Sequence, residues 1–129
     1  ATAVDRSLIG EAVFAEPEVG TVGLSEHDAA THGDIDVYVT RFRPMMNTLS
    51  LKSDRMMMKL ITRAGGGEVL GVHILGPGAS EIIQMAAIPM AMKASKADFD
   101  RAIAMHPTAA EELVTFKKPS YVYRGGVKQ

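Results

Sequence analysis

A helix predicted over residues 80–94 is apolar on almost every side, and this segment constrains the fold more than any other. Such a helix needs cover on several sides, and Gln84 and Pro89 leave it too short and too interrupted to span a membrane. We therefore expect a sheet to bury one side of the helix and another subunit to bury the rest. The apolar side chains are Ile82, Ile83, Met85, Ala86, Ala87, Ile88, Met90 and Met92.

Five stretches have the composition or alternation of β-strands. Two short ones cover residues 12–15 and 21–24, and a third covers residues 35–42. The last two strands are predicted to pair antiparallel across Gly65-Gly66-Gly67, which permits a hairpin-like return. One of them is expected to place Met56, Met58 and Leu60 on one face, and the other Leu70, Val72 and Ile74.

Shorter helices are predicted over residues 25–32, with Ser25 as N-cap and Gly33 as the stop, and over residues 96–103. Together these elements predict an α+β fold, an antiparallel sheet with helices packed mainly on one face. The 129 residues, of which 47% are hydrophobic, suffice for one core. The first six residues contain neither Met nor a signal core, so we expect a piece of a longer protein.

Composition argues against several classes of function. Fourteen basic and fifteen acidic residues give a formal net charge of -1 without a basic stripe, so nucleic-acid binding is not expected. The absence of Cys excludes a disulfide framework, a cysteine-based metal site and a thiol nucleophile within this sequence. His27 and His32 lack the spacing of a metal motif, so no metal site is expected. His73, on an apolar strand, is expected to be hydrogen-bonded or to face an edge.

The run Gly76-Pro77-Gly78 lies between a strand and a helix, as in dinucleotide-binding loops. Glu81 stands where such loops need a small residue, and its charge would repel a phosphate. We therefore interpret the run as a turn, with Ser80 available to cap the helix that follows.

The segment 106–115 carries the most chemistry. Pro107 restricts His106 to an extended conformation, so the imidazole lies on a stiff entry to a helix. Two interpretations of Glu111 stand side by side. It completes a capping box with Thr108, or its carboxylate binds the imidazole and sets the tautomer and orientation that a general acid requires.

Five motifs, in order and with matching spacing, resemble the C-terminal dimerisation domain of the glutathione reductases. These enzymes belong to the flavin-dependent pyridine nucleotide-disulfide oxidoreductases, whose dimerisation domain is an antiparallel sheet with helices. The resemblance covers nearly the whole chain. The motifs are residues 12–26, 42–48, 69–73, 96–100 and 106–112.

The resemblance implies an active site shared between two subunits of a homodimer. In that family FAD, NADPH and a Cys-x-x-x-x-Cys pair are held by earlier domains, so the full-length enzyme is expected to use both cofactors. The isolated fragment is expected to bind neither and to be inactive. His106 would act as the acid/base residue in the other subunit's site, and Glu111 would orient it. The peptide at His106 and Pro107 would approach the flavin of the partner subunit.

The resemblance also implies a substrate, glutathione disulfide. Residues 1–118 are assigned to the dimerisation domain and residues 119–129 to a C-terminal tail. The full enzyme is expected to be a cytoplasmic oxidoreductase of redox homeostasis, without membrane or nucleic-acid partners. Positions that would form the substrate wall are Phe42, Met45, Thr108, Glu112 and Thr115.

Two alternatives stay open. The tail at 119–129 resembles that of the trypanothione reductases, so the substrate could be another low-molecular-weight disulfide. The second alternative is an isolated homodimerisation module in which His106 has no catalytic role, and the apolar helix at 80–94 is compatible with it.

Overall fold

The computed structural model describes residues 6–129, and all of its strands join one sheet. The strands are β1 (Glu11–Val13), β2 (Val19–Gly23), β3 (Ile35–Phe42), β4 (Met56–Arg63), β5 (Val69–Leu75), β6 (Tyr121–Arg124) and β7 (Val127–Lys128). The helices are α1 (Glu26–Thr31), α2 (Met45–Leu49), α3 (Ala79–Ala91), α4 (Lys96–Asp100) and α5 (Glu112–Thr115), preceded by a 3₁₀ turn at Arg6–Leu8. The expectation drawn from the first residues falls largely on 1–5, outside the described range.

The sheet has the order β1-β2-β5-β4-β3-β6-β7, and every neighbouring pair is antiparallel. One face carries the larger core, to which α3, α4 and α5 contribute, and the other carries a smaller cluster beneath α1. This confirms the predicted α+β class with helices mainly on one face. Among the helices of residues 6–129, none is both long and apolar enough to cross a bilayer.

The central hairpin of β4 and β5 was predicted correctly, and its turn contains Gly65 and Gly66 at positive φ. Met56, Met58 and Leu60 all lie in the larger core. This confirms the face predicted for β4, because alternate side chains of a strand point to the same side of the sheet.

The prediction that Leu70 shares a face with Val72 and Ile74 was wrong. The register of β5 against β4 shifts at this point, so that Thr62 pairs with Val69 instead of with Leu70. One extra residue on a strand reverses the alternation beyond it. Leu70 therefore packs against the smaller cluster, and Val69 takes its place in the larger core.

Helix α3 lies close against the sheet at Gly20. A Cβ atom there would lie 2.7 Å from Ile83 Cγ1 and 2.9 Å from the Ala79 carbonyl oxygen, so only glycine permits this approach. The sheet side of the helix is buried, as predicted, whereas three apolar side chains face outward. The buried residues are Ala79, Ile83, Ala86 and Met90, and the exposed ones are Met85, Ile88 and Met92.

The N-terminus of α3 is capped by Glu18, and not by Ser80 as expected. The Glu18 carboxylate accepts hydrogen bonds from the backbone N–H groups of Ser80, at 2.7 Å, and Gly78, at 3.2 Å. The hydrogen bonds from Ser80, outweighing desolvation, lower the pKa of Glu18. A carboxylate thus fills the positive end of the helix, which agrees with the interpretation of this run as a turn without a phosphate site.

The two shorter predicted helices begin at serine caps, of which Ser25 was predicted and Ser95 was not. Ser25 accepts the backbone N–H of Asp28 at the start of α1, and Ser95 and Asp98 form a capping box at α4. Helix α4 stops at Asp100, three residues before its predicted end, because Ile103 is 96% exposed and gives a further turn no apolar contact.

The C-terminal segment extends the sheet beyond β3 and is held by Glu26. The Glu26 carboxylate accepts hydrogen bonds from Lys59 Nζ at 2.5 Å, Tyr123 at 2.7 Å and Tyr121 at 2.8 Å. Burial raises the pKa of Glu26, but the hydrogen bonds from Lys59 and the two tyrosines outweigh it and lower the pKa to about 2. One carboxylate therefore ties α1, β4 and β6 together.

We predict that Glu26→Gln destabilises the fold by about 1–3 kcal/mol, because Lys59 and both tyrosines lose a charged acceptor. Glu26 has a pKa of about 2 in the fold against an ordinary 4.5, so its contribution is complete above pH 4.5 and disappears towards pH 2. Urea unfolding between pH 2 and pH 7 should show a flatter acid limb for the variant. The exposed Glu16→Gln is the control, and parallel acid limbs for both variants would contradict the assignment.

Candidate functional site

A groove of about 390 Å³ brings together most of the residues that the sequence singled out. It lies between the loop that follows α4 and the segment that begins at the end of β3. The predicted residues that line it are Phe42, Met45, His106, Pro107, Thr108, Glu111 and Glu112. Thr115 does not line the groove, and its hydroxyl donates to the Glu112 carbonyl at 3.4 Å instead.

His106 is oriented by Glu111 and open to solvent. Its Nδ1 lies 2.9 Å from Glu111 Oε1, and the imidazole is 74% exposed while the Glu111 side chain is 14% exposed. Because a carboxylate accepts hydrogen bonds, we assign the proton of this bond to Nδ1. Nε2 is thereby left for chemistry at the surface. The His106–Pro107 peptide bond is cis.

The predicted capping box is not formed, because the N-cap of α5 is Glu111, which makes no side-chain capping hydrogen bond. Thr108 Oγ1 accepts the backbone N–H of Glu111 at 3.2 Å, as a capping threonine does. The reciprocal half is missing, because the Glu111 side chain turns to His106. The interpretation of Glu111 as part of a capping box is therefore wrong: its backbone N–H donates to Thr108 in the turn before α5, and its carboxylate contacts the imidazole.

One oxygen of Glu111 is unusual. Among buried side-chain nitrogen and oxygen atoms in residues 6–129, Glu111 Oε2 is the one without a hydrogen-bond partner. A buried polar atom of this kind is rare in folded proteins. Glu111 therefore has accepting capacity left after it has bound His106.

The segment after β3 is held by two residues that the sequence analysis missed. Arg43 donates from Nε to the Lys52 carbonyl at 2.7 Å and from Nη2 to the Asn47 carbonyl at 3.2 Å. Asn47 is buried and donates to the Asp54 carbonyl at 2.9 Å. These bonds close the loop that presents Met45 to the groove. These hydrogen bonds could not be predicted from a local sequence pattern, because each side chain donates to a main-chain oxygen several residues away.

Further groove residues also escaped the sequence analysis. They belong to the segment from the end of β3 through α2, to β4, to the turn before α3 and to the loop before α5, which come together only on folding. They are Arg43, Pro44, Met46, Asn47, Met56, Pro77 and Ala109.

The other histidines serve structure or lie elsewhere. His73 Nδ1 is 2.8 Å from Thr21 Oγ1 and its Nε2 is 3.0 Å from the Leu24 carbonyl oxygen, which confirms the prediction of a hydrogen-bonded structural residue. Burial lowers the pKa of His73. Within residues 6–129 no three His, Asp or Glu side chains are grouped so as to hold a metal ion.

The fold and the groove define a domain of the disulfide oxidoreductases. The chain belongs to the family described as pyridine nucleotide-disulphide oxidoreductase, dimerisation domain, whose model matches residues 9–116. This agrees with the resemblance read from the five motifs.

Relatives within this family include enzymes with two different substrate names. The chain is 48% identical over 120 residues to a chloroplastic/mitochondrial glutathione reductase of Pisum sativum, covering 92% of this chain and 22% of that protein. It is 43% identical over 126 residues to a trypanothione reductase of Leishmania donovani, covering 96% and 26%. A glutathione reductase of Nostoc sp. is 46% identical over 115 residues, covering 87% and 25%. The chain thus spans about a quarter of the length of these relatives.

We predict that Arg43→Lys loosens the loop over residues 44–54, because an ammonium on a single stem cannot serve both carbonyls in the geometry of the guanidinium. Hydrogen exchange of amides in this loop should rise about 5- to 30-fold, in line with ~1–2 kcal/mol of lost local stability. Arg41→Lys, an exposed arginine near the end of β3, is the control. Unchanged exchange in the Arg43 variant would remove Arg43 from the support of the groove.

Proposed function

We propose that this chain is the dimerisation domain of a full-length NADPH-dependent disulfide reductase and supplies His106 to the active site of the other subunit. The observation that carries the proposal is an exposed imidazole, oriented by a mostly buried carboxylate, beside an apolar groove. That arrangement leaves Nε2 free to exchange protons with a group that the chain itself does not contain.

The chemistry of disulfide reduction calls for such a group. A thiolate of the enzyme attacks one sulfur of the substrate, a mixed disulfide forms, and the other sulfur leaves with the bonding electron pair. An ordinary thiol has a pKa of about 8.5, so near neutrality its thiolate leaves more readily when it is protonated. His106 would give its proton from Nε2 to the departing sulfur, while Glu111 stabilises the ring and holds its plane.

FAD and NADPH are the cofactors we propose for the full-length enzyme, and the attacking cysteine pair would come from its other domains. His106 and Pro107 fit a position beside a flavin, because both are exposed at the edge of the groove. When bound, the flavin passes electrons from NADPH to the cysteine pair. We propose a cytoplasmic location for this enzyme on the strength of its family resemblance.

Glutathione disulfide is the substrate we propose. Phe42 and Met45 offer apolar contact to its central carbon–sulfur chain, and Thr108 and Glu112 offer polar contact to its peptide groups. Thr115 lies outside the groove and would meet only a substrate that extends beyond Glu112.

Trypanothione disulfide is the second candidate. The similarity to the Leishmania donovani enzyme covers 96% of this chain and so reaches into the C-terminal segment. A polyamine conjugate carries extra positive charge, which the carboxylate of Glu112 would favour. Comparing kcat/KM for the two disulfides in the full-length enzyme decides between them.

The homodimer we propose uses the outer side of α3. A shallow groove of about 360 Å³ runs between α3, α4 and α5, and contiguous apolar surface of this kind marks interaction sites. Ile88 and Met92, in and just after the same helix, are also exposed. Residues lining the groove include Ile82, Met85, Pro89, Phe99 and Val114.

We predict that His106→Gln in the full-length enzyme slows disulfide reduction about 10²- to 10⁴-fold, the usual loss on removing a general acid. Stopped-flow measurements should show flavin reduction by NADPH nearly unchanged, because that step precedes the proton transfer. The companion Glu111→Gln should cost less and should shift the pH profile of the disulfide step.

The exposed His32→Gln serves as the matched control and should leave both steps unchanged. Equal losses in both half-reactions of His106→Gln would contradict the acid/base role. Full activity in that variant would favour the isolated homodimerisation module, in which His106 has no catalytic part.

We predict that Ile88→Asp weakens self-association by about 30-fold or more, because the proposed interface would bury a charge on the outer side of α3. Sedimentation equilibrium of the full-length protein measures this directly. His27→Asp, on the opposite face of the sheet, is the control. Dimers of unchanged affinity in the Ile88 variant would place the interface elsewhere.

A further inference from the structure

A hydrogen bond between residues 72 positions apart joins β3 to the groove. Thr40 Oγ1 donates to Glu112 Oε2 at 3.3 Å, and both side chains are half-buried. Thr40 lies on the same face of β3 as Tyr38 and Phe42, which belong to or pack against the larger core. The strand thus delivers a hydroxyl to the point where α5 begins.

Thr40 is held much more firmly than Glu112. It pairs with Met58 of β4, which is fully buried, and its β-branched side chain has few rotamers in a strand. Glu112 has three rotatable side-chain bonds and lies in the first turn of a four-residue helix. A bond between a stiff donor and a flexible acceptor fixes the acceptor, so Thr40 selects the position of the Glu112 carboxylate.

This selection separates two adjacent carboxylates. Glu111 and Glu112 are neighbours, both line the groove, and the imidazole of His106 is one candidate partner for either. In the structure Glu111 takes the imidazole while Glu112 is held by Thr40. Each carboxylate therefore has its own side-chain partner within the chain, and Glu112 stays available to a ligand in the groove.

The geometry points to Thr40 as a positioning residue that fixes the Glu112 carboxylate for binding of the ammonium or amide N–H groups of a peptidic disulfide. This inference rests on the proposed function of the groove. It concerns substrate binding and leaves the proton transfer at His106 as it stands.

The test replaces the hydroxyl in the full-length, flavin-loaded enzyme. Thr40→Val keeps the branched shape and removes the donor, and it should raise KM for the disulfide about 3- to 10-fold with kcat within about 2-fold. Thr40→Ser keeps the donor and should restore KM. Thr40→Ala is a second variant without the hydroxyl, for which the same rise in KM is expected if Thr40→Val does not fold.

Thr21→Val is the matched control. It removes a comparable hydroxyl, which is bonded to His73 and points to the opposite face of the same sheet. This variant should leave KM unchanged. An equal rise in KM for this variant would mean that a general loss of sheet order causes the effect, and would overturn the inference.

Glu112→Gln in both backgrounds separates the possible failures. If Thr40 acts through Glu112, Thr40→Val should add almost nothing to the KM of Glu112→Gln. A raised KM in Glu112→Gln together with an unchanged KM in Thr40→Val would overturn the inference alone. An unchanged KM in Glu112→Gln would overturn the inference together with the proposed contact between Glu112 and the substrate. The His106→Gln experiment decides independently about the acid/base role.

Discussion

The alternation of side chains along β3 is the constraint on which the site depends. From Asp36 to Phe42, every second residue of this strand points to the face of the larger core and contacts a distant part of the chain. Asp36 accepts hydrogen bonds from Gly65 and Gly66 of the central hairpin and from Arg124 of the C-terminal strands. The remaining three have equally distinct partners. The ring of Tyr38 packs against that of Phe116, with 5.8 Å between the ring centres. Thr40 donates a hydrogen bond to Glu112, and Phe42 lines the groove.

A buried lysine anchors the two ends of the loop that carries His106. The Lys96 side chain is paired with Asp100 at the end of α4 and donates to the Phe116 carbonyl at 2.9 Å, just after α5. Its ammonium also lies 5.2 Å from the centre of the Tyr38 ring. Between these two ends the chain is mostly exposed, with His106 among its exposed residues. The loop thus has fixed ends and an open tip, a suitable build for presenting a side chain to another surface.

Local patterns were sufficient for the elements whose contacts are local. The β4–β5 hairpin, helix α3 and the cap at Ser25 follow from periodicity and turn chemistry. The pattern failed where a distant contact decides the outcome, as with the register shift at Leu70 and the capping of α3 by Glu18. An inserted residue in a strand and a carboxylate from another turn leave no periodic trace.

The same distinction applies to the candidate site. His106, Thr108 and Glu111 lie within six consecutive residues, so their contacts could be anticipated from spacing alone. Thr40 and Arg43 could not be found in this way, because their partners are defined by the folded path of the chain. The hydrogen bond between Glu111 and His106 lies within one chain, and this has a consequence for assembly. In the proposed homodimer each subunit would hold its proton donor in position before the two subunits associate. Dissociation would then stop the proton transfer without changing the geometry of the His106–Glu111 pair, and reassociation would need no rearrangement of that pair.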